Sequence, residues 1–250
     1  MIESIILIIA AFLTATLSAI IGMGGGITLL GIMAIIMPDG YLVVAYHGVI
    51  QLVSNVTRTT VYRHDIDRPI LSRFTKGIIP GLFIAAGLIY GLIQFYDVNS
   101  ASEIKFDYLK PLIGLYILWF LYLREKKPIS DQAFTWMGAL SGLVTVFIGA
   151  AGPLIAPFFI SKEIKKESVI ATKAACQAIG HLGKMPIFIF LFGVDYFEDW
   201  SVILPLVLAV FIGTKFGKGM LGKLPEATFK KLFRIVLTLI AIRLIILNFI

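Results

Sequence analysis

The chain is a succession of long apolar runs separated by short polar stretches. Nearly uninterrupted apolar runs cover residues 5–21, 77–92, 109–123, 203–212 and 233–250. Several of them approach the length of about 20 residues that an α-helix needs to cross the hydrocarbon core of a bilayer. The pattern therefore predicts an all-α, polytopic membrane protein that has the lipid bilayer as its surroundings.

The apolar runs and the polar stretches between them predict ten membrane segments. These are approximately 4–21, 27–37, 43–62, 74–96, 108–123, 133–149, 153–161, 168–192, 201–219 and 229–249. Two of them, 27–37 and 153–161, are too short to cross a bilayer alone at about 1.5 Å per residue. We expect them to be broken or re-entrant helices, or to complete a crossing through irregular chain.

Composition and charge agree with this class and set an orientation. Of the 250 residues, 58% are hydrophobic and 15% are charged, where a soluble domain has about 25% charged residues. The net charge is +7, and the basic residues concentrate in 63–76, 124–132, 162–167 and 215–231. Short basic loops face the cytoplasm in membrane proteins, so we predict both termini outside and expect no nucleic-acid partner.

The second half of the chain repeats landmarks of the first at a nearly constant offset. The glycine-rich stretch 22–26 aligns with 149–153, and Pro80 aligns with Pro205. Five segments in each half would invert the second half relative to the first, as in many secondary transporters. We therefore predict a first membrane repeat at 1–123, a basic cytoplasmic linker at 124–132 and a second, inverted repeat at 133–250.

The two glycine-rich stretches interrupt apolar runs at membrane depth, where irregular backbone is tolerated only inside protein or around a cavity. Free N–H groups at the start of a following helix suit an anion. The alternative is that these glycines only allow tight turns or close helix packing. The candidate substrate-binding residues in these stretches are Gly22, Gly24, Gly25, Gly26, Gly149, Gly152 and Pro153.

A second set of candidates lies on two helical faces, because its members are spaced four and three residues apart. They are Gln51, Asn55 and Arg58 in the first half, and Gln177, His181 and Lys184 in the second half. Amide, imidazole and cationic groups together would replace part of the hydration shell of an anion. Hydrogen bonding between helices, or a side chain reaching to the membrane surface, is the alternative role. Lys110 and Lys173 lie near segment ends, and we expect them to reach the surface in this way.

Acidic groups are missing from the predicted segments, which disfavours a cationic substrate and a carboxylate proton relay. His181 remains a candidate for proton coupling. The single cysteine and the spacing of His47, His64 and His181 predict no metal site, and we expect no cofactor and no catalytic residue. Three functions stay open: a secondary transporter for a small anion, an anion channel, and a membrane scaffold whose glycines pack helices. The oligomeric state is open between a monomer and a homodimer.

The stretch Gly22-Met-Gly-Gly-Gly-Ile-Thr28 resembles the glycine-rich signature of the TauE/SafE family of sulfite and organosulfur anion exporters. The stretch 149–157 resembles the second copy of that signature. It keeps the family's proline as Pro157, which the first copy replaces with Leu30, and it has Ala150 and Ala151 where the triple glycine would continue. The resemblance covers essentially the whole chain. It implies export of sulfite, a sulfonate or a related anion across the cytoplasmic (inner) membrane.

Overall fold

The computed structural model describes residues 2–21, 24–104, 108–123, 130, 132–152, 154–155, 159, 165–220 and 226–246. This part of the chain contains nine α-helices and no β-strand, which confirms the all-α prediction for it. The helices are α1 (Ile2–Ile21), α2 (Gly25–Ile36), α3 (Gly40–Val61), α4 (Arg68–Tyr96), α5 (Leu109–Leu118), α6 (Ala133–Phe147), α7 (Lys166–Phe192), α8 (Trp200–Gly219) and α9 (Glu226–Ile246). A π-helical turn at Trp119–Leu123 extends α5, and short 3₁₀ turns lie at Arg63–Asp65 and Ala101–Glu103.

Of the nine described helices, four (α1, α4, α7 and α8) are long and apolar enough to cross a membrane. Nine of the ten predicted segments correspond to one helix each, and α2 has only 12 residues, so its predicted shortness is confirmed. Segment 153–161 lies largely outside the described residues. Large apolar side chains point outward, with Phe83, Phe95 and Phe190 at least 74% exposed. An apolar exterior of this kind fits lipid around a multi-pass membrane protein.

Local sequence explains where several helices begin and end. At the start of α4 the Asp67 side chain accepts a hydrogen bond from the backbone N–H of Ile70 (3.0 Å), and Pro69 occupies the first turn, where its missing N–H costs nothing. Helix α7 ends at Gly193, which has a φ of 68°. This left-handed conformation closes a helix and favours glycine.

Two parallel helix pairs are held together by glycines. Helices α4 and α6 each carry a Gly-x-x-x-Gly pair, and a Cβ at Gly81 would lie 2.1 Å from the carbonyl oxygen of Ala139. On α8, a Cβ at Gly213 would lie 2.4 Å from the carbonyl oxygen of Phe12 on α1. Because small residues let helix backbones approach closely in a membrane, these glycines determine the distance between the paired helices.

Helices α3 and α7 run antiparallel through the centre of the molecule. Tyr41 of α3 stacks on Phe192 of α7, with ring centroids 6.0 Å apart, at one end of the pair. Tyr62, which caps α3, packs in a small cluster with Ile170 of α7 at the other end. Both helices carry polar residues in their middle turns, so their crossing brings together the two polar faces predicted from the sequence.

Candidate functional site

Two breaks in the helical structure flank the α3–α7 pair. The first break lies between the end of α1 at Ile21 and the start of α2 at Gly25, and its described residue, Gly24, has a φ of 94°. The second break, residues 148–152, follows α6, and Gly149 has a φ of 97°. L-residues with a side chain rarely adopt this conformation, which explains a glycine at each position. The equivalence of Gly24 with Gly149 differs by two residues from the sequence alignment, which paired Gly22 with Gly149.

Helix α2 presents its N-terminus at the first break. The first hydrogen bond of this helix runs from the N–H of Thr28 to the carbonyl oxygen of Gly24 (3.1 Å). The N–H groups of Gly25, Gly26 and Ile27 precede it and have no acceptor within the helix. N–H groups at a helix start suit an anion, which the helix dipole also favours.

A small cavity, here called the central cavity, lies between the two breaks and the α3–α7 pair. Its volume is about 20 Å³, which is enough for about one water molecule. The cavity is lined by Ser18, Gly24, Gly26, Ile27, His47, Gln51, Arg58, Ala150, Gly152, Lys173, Gln177 and His181. The structure thus brings seven of the predicted site residues to one place: Gly24, Gly26, Gln51, Arg58, Gly152, Gln177 and His181.

Each of the two glutamines contacts a glycine: Gly26, in the first turn of α2 after the first break, and Gly152, at the end of the second break. A Cβ at Gly26 would lie 3.1 Å from Oε1 of Gln51, and a Cβ at Gly152 would lie 2.6 Å from Nε2 of Gln177. Gly25 differs from these glycines, because a Cβ there would lie 2.0 Å from the carbonyl oxygen of Thr14 on α1. Gly26 and Gly152 line the cavity, whereas Gly25 permits close packing of α1 on α2.

Arg58 is buried, with 3% of its surface exposed, and it is held by neutral groups. Its Nη1 donates to the Ser18 hydroxyl (2.6 Å), and its Nη2 donates to Oδ1 of Asn55. The Nδ2 amide of Asn55 is buried and has no hydrogen-bond partner. Among the described residues this guanidinium hydrogen-bonds only uncharged groups, and with an unsatisfied amide donor beside it, it is a binding element for an anion.

Lys184 is completely buried, and its ammonium group points at backbone carbonyl oxygens. The Nζ atom donates to the carbonyl oxygen of Val44 (2.8 Å), and longer hydrogen bonds reach those of Gly149 (3.3 Å) and Thr145 (3.4 Å). It does not line the central cavity. In this conformation the ammonium group contributes positive charge near the cavity and links α3, α6 and the second break.

The two buried histidines lie between the breaks, with ring centroids 5.8 Å apart. Nδ1 of His181 is buried without a hydrogen-bond partner, on a side chain that lines the central cavity. His47 lies between two carbonyl oxygens, those of Gly149, 3.2 Å from Nδ1, and Gly26, 2.8 Å from Nε2. His47 was not among the predicted site residues, although an offset of 126 places it opposite Lys173, which was a detectable signal.

The buried charges around the cavity are all positive. Among the described residues, the buried charged side chains are Arg58, Lys173 and Lys184, and no Asp or Glu is buried. The expectation that Lys173 reaches the membrane surface is wrong, because it is 3% exposed and lines the central cavity. Lys173 is the eighth residue of α7, which begins two residues before the predicted segment, so it lies deeper in the helix than expected. An excess of buried cations favours an anion.

A larger cavity, here called the vestibule, has a volume of about 610 Å³. The residues that line it are Ala34, Ile35, Pro38, Asp39, Gly40, Tyr41, Val44, Ile89, Leu92, Ala101, Ser102, Ile104, Lys110, Leu112, Val146, Phe147, Ile148, Phe188, Phe192 and Leu244. Lys110 donates to the carbonyl oxygen of Met37 (2.8 Å). Val44 and Phe188 also contact Lys184, so they lie between the vestibule and the centre of the molecule.

Two of the predicted site residues, Gly22 and Pro153, lie outside the described residues. Asn55 adjoins the cavity through Arg58, which lines it, and Gly25 packs against α1. Lys184 shares the carbonyl oxygen of Gly149 with His47, which lines the cavity. Gly149 contributes its backbone, because its carbonyl oxygen faces both Lys184 and His47. Besides His47 and Lys173, the sequence did not single out Ser18, whose hydroxyl holds Arg58 from 40 residues away.

Comparison with known proteins agrees with the resemblance carried by the glycine-rich stretches. The family model described as sulfite exporter TauE/SafE matches residues 7–244, which is nearly the whole chain. No curated protein and no solved structure matches the chain. The family match covers α2 to α8 completely, most of α1 and α9, and every residue that lines the central cavity. The chain therefore belongs to the sulfite exporter TauE/SafE family of membrane transporters.

Proposed function

We propose that the protein is a secondary transporter that binds a small anion in the central cavity between the two breaks. The observation that carries this proposal is a cavity flanked by buried cations with no buried carboxylate among the described residues. Arg58 and Lys184 hold their buried positive charges with uncharged hydrogen-bond partners, and an anion near them would offset the cost of burying that charge. The unpartnered Nδ2 of Asn55 and Nδ1 of His181 are two further groups for that anion.

The substrate class that fits best is sulfite, a sulfonate or a related organosulfur anion, and the expected direction is export. Membership of the TauE/SafE family supports this assignment. The donor set supports it independently, because amide, guanidinium and backbone N–H groups match an oxyanion that accepts several hydrogen bonds. The donors come from both halves of the chain, which suits the several oxygens of a tetrahedral or pyramidal anion.

Two inverted repeats are the architecture that we propose for this site. Four equivalences support it: Gly24 with Gly149, the Gly–Gln contacts of the two breaks, the antiparallel crossing of α3 and α7, and the packing of α1 on α8 beside that of α4 on α6. Inverted repeats commonly carry the substrate between broken helices near the midplane. The central cavity would then lie at the interface of the repeats.

Alternating access is the mechanism that we infer for transport. The central cavity is smaller than any organosulfur anion, so helices must separate before such an anion enters. On one side, Val44 and Phe188 lie between the cavity region and the vestibule; on the other, Tyr62 packs with Ile170. We propose that these two contacts open in turn as one repeat moves against the other.

The proposed orientation places the vestibule on the outer face of the inner membrane. Asp39 and Ser102 line this cavity and lie in stretches 38–42 and 97–107, which hold at most one Lys or Arg each. The basic stretch 63–76 follows the opposite end of α3. The positive-inside rule supports this orientation. An anion leaving the central cavity outward would pass Lys110 at the wall of the vestibule.

Thermal unfolding in detergent tests the proposed binding. The purified protein is heated with sodium salts of sulfite, sulfate, thiosulfate, isethionate, sulfoacetate, acetate and chloride, and with taurine. A ligand that binds only the folded state adds about 2.7 kcal/mol at 100 times its Kd. We expect a sulfur oxyanion or a sulfonate to stabilise the protein, and acetate and chloride to have no such effect. The same small response to every salt would contradict the proposal.

The channel and the scaffold are separated from a carrier by flux in proteoliposomes. A carrier saturates with substrate and accelerates exchange of labelled anion when unlabelled anion is present on the other side. Flux that rises linearly and shows no counterflow would identify a channel. A protein that neither binds nor moves any of these anions would fit the scaffold.

A further inference from the structure

The ring of His47 makes two contacts that one neutral imidazole cannot satisfy. The ring is 1% exposed, and its nitrogens lie 3.2 Å from the carbonyl oxygen of Gly149 and 2.8 Å from that of Gly26. Carbonyl oxygens only accept hydrogen bonds, and a neutral imidazole has one donor and one acceptor nitrogen. In the neutral ring, one lone pair therefore faces a carbonyl oxygen; the imidazolium donates to both.

The charged groups around His47 oppose the imidazolium when the cavity is empty. From α7, Lys184 shares the Gly149 carbonyl oxygen with His47, the His181 ring lies 5.8 Å away, and Lys173 lines the same cavity. Arg58 on α3 lines it as well. In the described part of α1 and α2, the lining groups are the uncharged Ser18 hydroxyl and the backbone and Ile27 side chain of α2.

An anion in the central cavity reverses this balance. It would lie beside His47, which is part of the cavity wall, and its negative charge favours the charged form of a neighbouring imidazole. The two carbonyl oxygens already stand where the two N–H groups of an imidazolium would donate. Both ring nitrogens of His47 therefore donate hydrogen bonds, and the added positive charge is balanced, only when the anion and a proton are present together.

We propose that His47 takes up one proton when an anion enters the central cavity, so that the protein carries the anion and the proton together. This inference rests on the proposed function and names its coupling ion. The proton binds the free nitrogen of the ring and leaves with the anion. The protonated ring holds the first break to the second through Gly26 and Gly149. Loss of the proton removes one of these two hydrogen bonds and frees the breaks to separate.

Isothermal titration calorimetry on the detergent-solubilised protein tests this coupling without any variant. Isethionate and thiosulfate are suitable probes, because both stay fully ionised from about pH 5 to pH 8, the range in which histidine titrates. Titrations at one pH in Bis-Tris and in Tris, two cationic buffers that differ in ionisation enthalpy and do not compete for an anion site, count the protons taken up. We expect up to one proton per anion, and a Kd that rises about tenfold per pH unit in the range where the free His47 is neutral.

Three substitutions locate the proton. His47→Gln should abolish proton uptake and the pH dependence of the Kd, while His64→Gln, at an exposed position, should change neither. His181→Gln should keep proton uptake, whatever its effect on the Kd. If the wild-type protein binds the anion without taking up a proton, the coupling is overturned and the proposed function stands. The same holds if proton uptake is lost in His181→Gln but kept in His47→Gln. No binding of any anion in the panel would overturn the proposed function itself.

Discussion

Nε2 of Gln177 lies 2.6 Å from the position that a Cβ on Gly152 would occupy. The glutamine side chain therefore fills the space that a side chain at the second break would need. The first break has the same arrangement, with Gln51 against Gly26. At both breaks the glycine lets a long amide side chain lie against the backbone and reach the central cavity.

The substitution Gly152→Ala should weaken anion binding, because its Cβ would displace the Gln177 amide from the cavity wall. We expect the Kd to rise about tenfold, which corresponds to the loss of about 1.4 kcal/mol. The control is Gly87→Ala on α4, where a Cβ would meet no atom within 4 Å. Anion titration by calorimetry compares the two proteins, and equal affinities would contradict a role for Gly152 in the site.

The substitution Lys184→Met should reduce anion binding by about tenfold or more, because it removes a buried positive charge beside the second break. Methionine retains most of the apolar length of the side chain. Lys110→Met is the comparison, since Lys110 lies at the wall of the vestibule and is only partly buried. The measurement is the Kd of each variant for the anion that stabilises the wild-type protein most in the thermal unfolding experiment. Equal effects at the two positions would remove Lys184 from the site.

The substitution Arg58→Met should abolish measurable stabilisation by the anion. The guanidinium is the buried cation that lines the cavity from α3, and hydrogen bonds to charged groups contribute about 1.5–3 kcal/mol. Arg63→Met provides the matched control, since Arg63 is exposed five residues further along the chain. The measurement is the thermal shift with saturating anion. A full shift in Arg58→Met would show that the guanidinium is not a ligand.

The substitution Gly81→Ala should lower the melting temperature, because its Cβ would lie 2.1 Å from the carbonyl oxygen of Ala139 and force α4 away from α6. Overpacking of this kind costs about 1–3 kcal/mol. Gly91→Ala on the same helix is the control, since a Cβ there meets nothing within 4 Å and alanine favours the helix. Thermal unfolding without anion makes the comparison. Unchanged stability of Gly81→Ala would contradict the packing role.

The helices were predictable because their signals are local. Apolar runs and polar loops place nine of the ten segments within a few residues of the observed helices, and the glycines of the first break precede the short α2 as expected. The Gly-x-x-x-Gly pairs on α4, α6 and α8 were also visible in the sequence, and a search for small residues at that spacing would have found them. Lys173 was misjudged because its distance from a helix end depends on where α7 begins.

The sequence by itself determined a polytopic helical membrane protein with two glycine-rich interruptions, no acidic group in its predicted segments and polar faces on α3 and α7. Hydrophobic length, glycine content and charge sign are properties of short stretches, so they need no knowledge of the fold. Only the tertiary structure decided where the polar groups point. His47 meets carbonyl oxygens 21 and 102 residues away, and Lys184 meets that of Val44 across 140 residues. These hydrogen bonds depend on how α3 crosses α7 and on how closely the two breaks approach each other. No local sequence pattern specifies either arrangement.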